Sequence, residues 1–155
     1  MEAVVTIAIV GIIGVIFAQT FQYGVSQYIF GSEVAAEDAK GRLLLERVSR
    51  DLRMVRSAND ISAFTSTQFA YTDATGAFVN YQYSSGTLRL TRQESGGNAR
   101  ILADTIGGLT FSYLQSDSVT TASTAGQIRL IQLSATISSS NVSAVYRTTV
   151  APLAY

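Results

Sequence analysis

The chain has 155 residues, a net charge of zero at pH 7, and neither cysteine nor histidine. This length suits one globular domain, and the missing residue types exclude disulfides, thiolate catalysis and histidine-based metal sites. Zero net charge gives no bulk electrostatic reason to bind nucleic acid or an anionic membrane. We therefore expect no direct nucleic-acid contact, and we predict no cofactor and no metal ion.

The first predicted element is an apolar helix over residues 1–31. No charged residue occurs between Glu2 and Glu33, and the stretch AVVTIAIVGIIGVIFA runs from Ala3 to Ala18. As one helix, roughly 20 such residues cross the hydrocarbon core of a bilayer. The pattern therefore predicts a helix that is buried either in a membrane or in the core of an assembly.

Two simpler interpretations of this helix remain open. A secretory signal peptide needs a basic first region, but the first basic residue here is Lys40. An ordinary single-span anchor fits the apolar stretch but does not explain Glu2, because a carboxylate at the edge of an apolar helix is costly in lipid and usually marks a function. The alternative for Glu2 is a favourable interaction with the helix dipole in the first turn.

Residues 32–60 are predicted to continue the helix in amphipathic form. Asn59 and Asp60 are the expected end of the helix. Apolar residues at spacings of three and four predict one buried stripe, and acids four residues before arginines predict ion pairs on the wet side. The stripe consists of Leu45, Val48, Leu52 and Val55, widened by Leu44, and the pairs are Glu46–Arg50 and Arg47–Asp51.

Arginines recur along this segment, and two interpretations fit them. They could form a stripe that binds nucleic acid or lipid, or a solvated face that pairs between subunits. Because acids are interleaved throughout, the second interpretation is favoured. The residues are Arg42, Arg47, Arg50, Arg53 and Arg56.

Residues 61–155 are predicted to form an antiparallel β domain. From Thr67 onward the apolar residues alternate with polar ones, as in strands with one buried face. We predict a meander that packs one face on the helix, which makes the chain an α+β protein with a long N-terminal α-helix on an antiparallel β-sheet. The predicted strands include Val79–Tyr83, Leu88–Leu90, Ala99–Ala103, Leu109–Tyr113, Ile131–Ile137 and Val142–Val150.

Three aspartates in this half are expected to be isolated turn residues, since no acidic cluster has the spacing of a calcium loop. They are Asp73, Asp104 and Asp117. Residues 116–126 are predicted to be a flexible, hydroxyl-rich loop. Asn141 begins a triplet of the N-glycosylation type, which often arises by chance.

Glu2 followed by AVVTIAIVGIIGVIFA resembles the N-terminus of mature type IV pilins and type II secretion pseudopilins. The resemblance implies that the Glu2 carboxylate neutralises the methylated amino terminus of a neighbouring subunit during assembly. Members of the family usually carry a phenylalanine a few residues earlier and often a proline within the helix, and this sequence has neither. With no proline in the helix, Gly14 and Gly24 are the candidate points for local unwinding in a filament.

The runs RVSRDLRMV, VNYQYSSGTLRLTR, ILADTIGGLTFSYL and IRLIQLSATI resemble minor pilins and pseudopilins of the J/W type. Together the two resemblances cover nearly the whole chain and imply the pilin fold. They also imply a prepilin peptidase and an assembly platform as partners. The implied location is the inner membrane before assembly and an extracellular or periplasmic filament afterwards.

The function that we expect is a structural subunit of a type IV pilus or pseudopilus, bound to copies of itself or to related pilins. The expected assembly residues are Glu2, Gly11, Gly14, Phe17 and Phe21, with small residues allowing close contact between helices. One alternative is a low-copy tip or priming subunit. Another is a monomeric, membrane-anchored domain for adhesion or DNA uptake. An enzyme is not expected, because no convergent set of catalytic residues is visible.

Overall fold

The computed structural model describes residues 2–139 and 142–152. The chain divides into two compact units, Met1–Ala36 and Glu37–Tyr155. The helix and the strands are α1 (Glu2–Leu52), β1 (Ile61–Phe64), β2 (Gln68–Thr72), β3 (Phe78–Ser84), β4 (Arg89–Glu94), β5 (Arg100–Ala103), β6 (Ile106–Leu114), β7 (Leu130–Ser139) and β8 (Val142–Val150), with short 3-10 helices at Ala58–Asp60 and Ala125–Gln127.

In the first unit, α1 presents an apolar surface that is exposed in the described part of the chain. Its most apolar window of 18 residues has a mean hydropathy of 2.4, and none of that window is buried. The helix is long and apolar enough to cross a membrane. A continuous helix suits this composition because it satisfies its backbone hydrogen bonds internally, without water.

In the second unit, the last turns of α1 supply one side of the hydrophobic core. Leu44, Val48 and Leu52 are buried, and Val55 continues the same stripe beyond the helix end. Leu45, which was predicted to belong to the stripe, lies at its rim and is only partly buried. The fully buried stripe thus has spacings of four, four and three residues and starts at Leu44, whereas the predicted stripe started at Leu45 with spacings of three, four and three.

The helix ends at Leu52, earlier than the sequence predicted. The chain tightens there through a bond from the Met54 amide to the Asp51 carbonyl at 3.0 Å, a spacing typical of helix ends. Asn59 and Asp60 belong instead to a separate 3-10 helix, which a capping box between Ser57 and Asp60 starts. The residues expected to end α1 therefore begin the next element.

The strands pair antiparallel throughout, as predicted, but they form two sheets. One sheet has the order β1-β2-β3-β4-β5, and the other has the order β6-β7-β8. Between β5 and β6, Thr105 has a φ of 58°, which turns the chain sharply out of the first sheet. Strand β1 was not predicted, and Leu88 lies in the β3–β4 turn with a φ of 53° rather than in a strand.

Hydrogen bonds join the two sheets. The Phe111 amide donates to the Ser66 carbonyl at 2.8 Å, and the Ile106 amide donates to the Leu88 carbonyl at 3.0 Å. The Tyr113 hydroxyl lies 2.9 Å from the Thr65 carbonyl. Both sheets and the end of α1 therefore enclose a single core, in which Phe69, Tyr71, Tyr81, Ile131 and Leu133 are almost completely buried.

Helix α1 also contacts the edge strand β8. The Tyr146 hydroxyl donates to Asp38 Oδ1 at 3.1 Å. A Cβ atom on Gly41 would lie 2.6 Å from the Tyr146 ring. Gly41 costs about 1 kcal/mol relative to alanine inside a helix, and its presence is explained by this close approach of the ring.

The buried stripe gives a stability prediction. Leu52→Ala should lower the free energy of unfolding by about 2–5 kcal/mol, because it removes a fully buried side chain and leaves a cavity. The matched control is Leu43→Ala on the same helix, whose side chain is 66% exposed and whose loss should change stability by less than about 0.5 kcal/mol. Urea unfolding of the full chain in detergent measures both. Equal effects of the two substitutions would contradict this packing.

Candidate functional site

The part of α1 that lies in the first unit of the chain carries a notch. Phe17, Phe21, Gly24 and Tyr28 follow one another at spacings of four, three and four, which places them on one helix face. With Thr20 and Val25 they line a concave surface of about 420 Å³, which we name the Gly24 notch. Apart from its chain neighbours and the adjoining helix backbone, no described atom lies within 4 Å of the position that a Gly24 Cβ would occupy. The aromatic rings form the sides of the notch. Its base is Gly24, which has no side chain to fill the space.

The opposite face of the same segment is polar but uncharged. Gln19, Gln22 and Ser26 lie on it, and we name them the amide face. Their side chains make no hydrogen bonds within the described part of the chain. Thr20, by contrast, donates to the Ile16 carbonyl at 2.9 Å and so satisfies its own hydroxyl. An amide without a partner is costly in hydrocarbon, so the amide face requires water or another protein surface.

The structure places the predicted assembly residues as follows. Phe17 and Phe21 lie on the notch face, and Gly11 and Gly14 lie one turn apart with open space around them. Glu2 is the first residue of α1, and its side chain lies outside the described part of the structure. The helix is continuous through Gly14 and Gly24 in this single chain. Unwinding at these glycines concerns the assembled state and stays a prediction.

A polar cluster in the second unit fastens the end of α1 to the first sheet. Asp51 Oδ2 accepts hydrogen bonds from the Tyr81 hydroxyl and from Arg92 Nε, the latter at 2.9 Å. Arg92 Nη1 also pairs with Glu94 Oε2 at 2.6 Å. The side chains of Asp51 and Arg92 are only 13% and 19% exposed. We name these four residues the Asp51 cluster.

The predicted pair Arg47–Asp51 is therefore wrong, whereas Glu46–Arg50 is confirmed with a separation of 3.1 Å. Asp51 pairs with the sheet because it adjoins the buried Leu52 and lies against β3 and β4. The sequence does contain a signal for this pairing. Arg92 is two residues from the buried Leu90 in a strand, so both side chains point to the same face.

Burial shifts the titration of the tyrosines in the core. It raises the pKa of Tyr81 above its usual range, and the hydrogen bond to Asp51 raises it further. Burial also raises the pKa of Tyr71, with the charge of Asp51 adding to the effect, and burial alone raises the pKa of Tyr113. Each of these phenols is therefore held in its neutral form in the folded chain.

A cleft lies next to the Asp51 cluster, at the free edge of β5. Its volume is about 610 Å³, and we name it the arginine cleft because Arg47, Arg92 and Arg100 line it together with Glu94, Asn98 and Ile101. A second groove of about 700 Å³ adjoins it, since Arg47 and Leu102 line both. A tight turn shapes the rim of the cleft, with the Gly97 amide bonded to the Glu94 carbonyl at 2.8 Å.

The turn aspartates form local hydrogen bonds, as their isolation in the sequence indicated. Asp73 Oδ1 accepts from the amides of Thr75 and Ala77 at 2.7 and 3.0 Å. Asp117 accepts from the Val119 and Thr120 amides at 3.0 and 2.9 Å. Hydrogen bonds led by Thr75 and Thr120 respectively lower the pKa of each carboxyl.

No three acidic side chains converge as a possible metal site within residues 2–139 and 142–152. The loop over residues 116–126 is tied down within its length, because the Ala122 amide donates to the Tyr113 carbonyl at 2.8 Å. Asn141, the first residue of the glycosylation-type triplet, lies outside the described residues.

Comparison of the chain with models of protein families and with curated proteins finds no match.

The Asp51 cluster gives a second stability prediction. Asp51→Asn should cost about 2 kcal/mol, because Arg92 and Tyr81 lose a charged, mostly buried acceptor. The matched control is Glu46→Gln, which removes the charge from an ion pair whose side chains are 66% and 70% exposed and should cost less than about 0.5 kcal/mol. Urea unfolding measures both variants. A cost for Asp51→Asn no larger than that of the control would show that the cluster does not hold the helix end.

The buried phenols predict a loss of stability in alkali. Their raised pKa values mean that the folded chain keeps these protons after the unfolded chain begins to lose them, near pH 10. Stability should therefore be constant up to about pH 9 and should fall above about pH 10. Tyr81→Phe should make this fall shallower, which unfolding measured across the pH range would detect. An unchanged slope would contradict the assignment to Tyr81.

Proposed function

We propose that this chain is a structural subunit of a helical filament of the type IV pilus or pseudopilus class, which assembles through the first unit of α1. The observation that carries the proposal is the length and the two-faced character of the uncharged helix. Residues 3–32 contain no charge and span about 45 Å as a helix, against about 30 Å for the hydrocarbon core of a bilayer. A simple anchor does not need this excess.

The two faces of residues 17–28 support packing against other helices. Lipid tails fill the Gly24 notch without specificity, whereas the side chain of a neighbouring helix fits a notch with a glycine floor and aromatic walls. The amide face supplies hydrogen-bonding groups that lipid cannot satisfy and that another helix can. Both features favour a helix surrounded by other helices over one surrounded by lipid.

Copies of this chain, or of related pilins, are the proposed partners in the filament. Before assembly the apolar helix resides in the inner membrane, and the filament is then extracellular or periplasmic. A prepilin peptidase and an assembly platform belong to the same proposal. Glu2 has the proposed role of docking the incoming subunit, and Gly14 and Gly24 are the proposed points at which the helix adapts. The proposal contains no catalytic step, no cofactor and no direct contact with nucleic acid.

A low-copy tip or priming subunit is a second candidate, favoured by the likeness of the β half to minor pilins. Helical reconstruction separates the two roles. One repeating copy of this chain along the filament would exclude a role restricted to the tip, and its presence only at filament ends would exclude the shaft role. A monomeric anchored domain is the third candidate, and it does not account for the excess length of the uncharged helix.

The test is Glu2→Ala in cells that carry a type IV pilus assembly system. Filaments sheared from the cells should contain the wild-type chain and should lack the variant, because the carboxylate no longer docks the subunit. The control is an equal amount of each chain in the membrane fraction, which shows that the variant is made and inserted. Equal yields of filament would exclude the role of Glu2. Absence of wild-type filaments would exclude the proposal itself.

A further inference from the structure

Glu33 is the first charged residue after the uncharged part of α1, and it is unusual in having no partner. The three acids that follow it on the helix form ion pairs with residues three or four positions later, at 2.8–3.1 Å. Glu33 forms no ion pair or hydrogen bond with its side chain anywhere in residues 2–139 and 142–152. Its carboxylate is therefore unpaired, on a residue that is partly exposed.

The arginine cleft, by contrast, carries unpaired positive charge. Arg92 is neutralised there by Asp51 and Glu94. Arg47 and Arg100 are exposed, line the same cleft, and form no ion pair within the part of the chain that the structure describes. Two guanidinium groups around one cavity are suited to a carboxylate, because each presents a planar fork of donors that matches its two oxygens.

We propose that the arginine cleft binds Glu33 of a second copy of this chain. Charge complementarity selects this occupant. Glu37 and Asp38 are paired with Lys40 and Arg42. Glu33 therefore carries the one unpaired acidic charge among the described side chains of α1, and the cleft presents the matching unpaired basic charges. The inference rests on the proposed function, since a filament brings the helix of one subunit beside the β domain of another.

Other occupants fit the cleft less well. A polyanion such as nucleic acid meets Glu94 inside the cleft, and the chain has no net positive charge to attract it. Asp104 also lacks an ion pair among the described residues, but it lines the adjoining groove with Lys40 and Arg47. Asp104 therefore belongs to the receiving surface and not to the segment that is received.

Charge reversal in trans tests the proposal. Glu33→Arg alone, and the double variant Arg47→Glu with Arg100→Glu alone, should each lower the yield of filament by about tenfold or more, because like charges then face each other. Expressed together, the two variants should restore filaments. The arginine introduced at position 33 of one chain can then pair with the glutamates introduced in the cleft of the other. The control is Arg53→Glu, an exposed arginine outside the cleft, which should leave the yield unchanged.

A cross-linking experiment tests the contact without relying on filaments. The chain has no cysteine, so Glu33→Cys in one copy and Arg100→Cys in a second, tagged copy introduce the only thiols. A short bis-maleimide added to membranes that contain both copies should give a mixed dimer. Arg53→Cys in place of Arg100→Cys should give at least tenfold less of it.

The outcomes separate this inference from the proposed function. If wild-type filaments form while the reversals leave the yield unchanged and no mixed dimer appears, the cleft contact is wrong and the filament role stands. If the cleft variant loses assembly but Glu33→Arg does not, another group fills the cleft, and the inference is overturned. If no filaments form but the mixed dimer does, the contact stands and the filament role fails.

Discussion

Burial of the stripe Leu44–Val48–Leu52–Val55 is the interaction on which the β domain depends. Neither sheet encloses a hydrophobic core alone, because each is an open sheet, one of five strands and the other of three. The stripe and the bonds between the sheets join them into one hydrophobic interior. The Asp51 cluster restricts how the helix end can sit on the sheet, because a mostly buried carboxylate tolerates little displacement from its hydrogen-bond donors. The apolar contacts supply the stability, and the cluster fixes the position of the helix end.

Much of this fold was readable from the sequence. The alternation Val79–Tyr81–Tyr83 identified β3, and the uncharged stretch before Glu33 identified the exposed helix. The failures have local causes. Strand β1 has four residues and an irregular register, which leaves almost no period to detect. The end of α1 was misplaced because Asn59 and Asp60 were interpreted as a helix end, whereas Asp60 completes a capping box with Ser57 that starts the next helix.

The candidate surfaces were predictable to different degrees. Phe17 and Phe21 were expected to mediate assembly from the sequence, and helical spacing alone places Gly24 between their rings and that of Tyr28. The arginine cleft was not predictable in this way, because it brings Arg47 from the helix beside Arg100 from β5. Only the tertiary fold supplies such a contact. For Asp51 the sequence gives only half of the contact, because strand alternation places Arg92 on the buried face of β4 but does not show that this face meets the helix end.

The amide face changes how the energetics of the exposed helix should be understood. In the proposed filament role, moving this exposed apolar helix out of the membrane exchanges a lipid environment for a protein environment. Lipid tails are about as apolar as leucine side chains, and such an exchange yields little hydrophobic free energy. The free-energy difference then depends on the few polar groups that lipid tails cannot hydrogen-bond. Gln19, Gln22 and Ser26 are three of them. In that role, a few amides and hydroxyls, rather than the long apolar run, would determine whether the helix prefers lipid or protein.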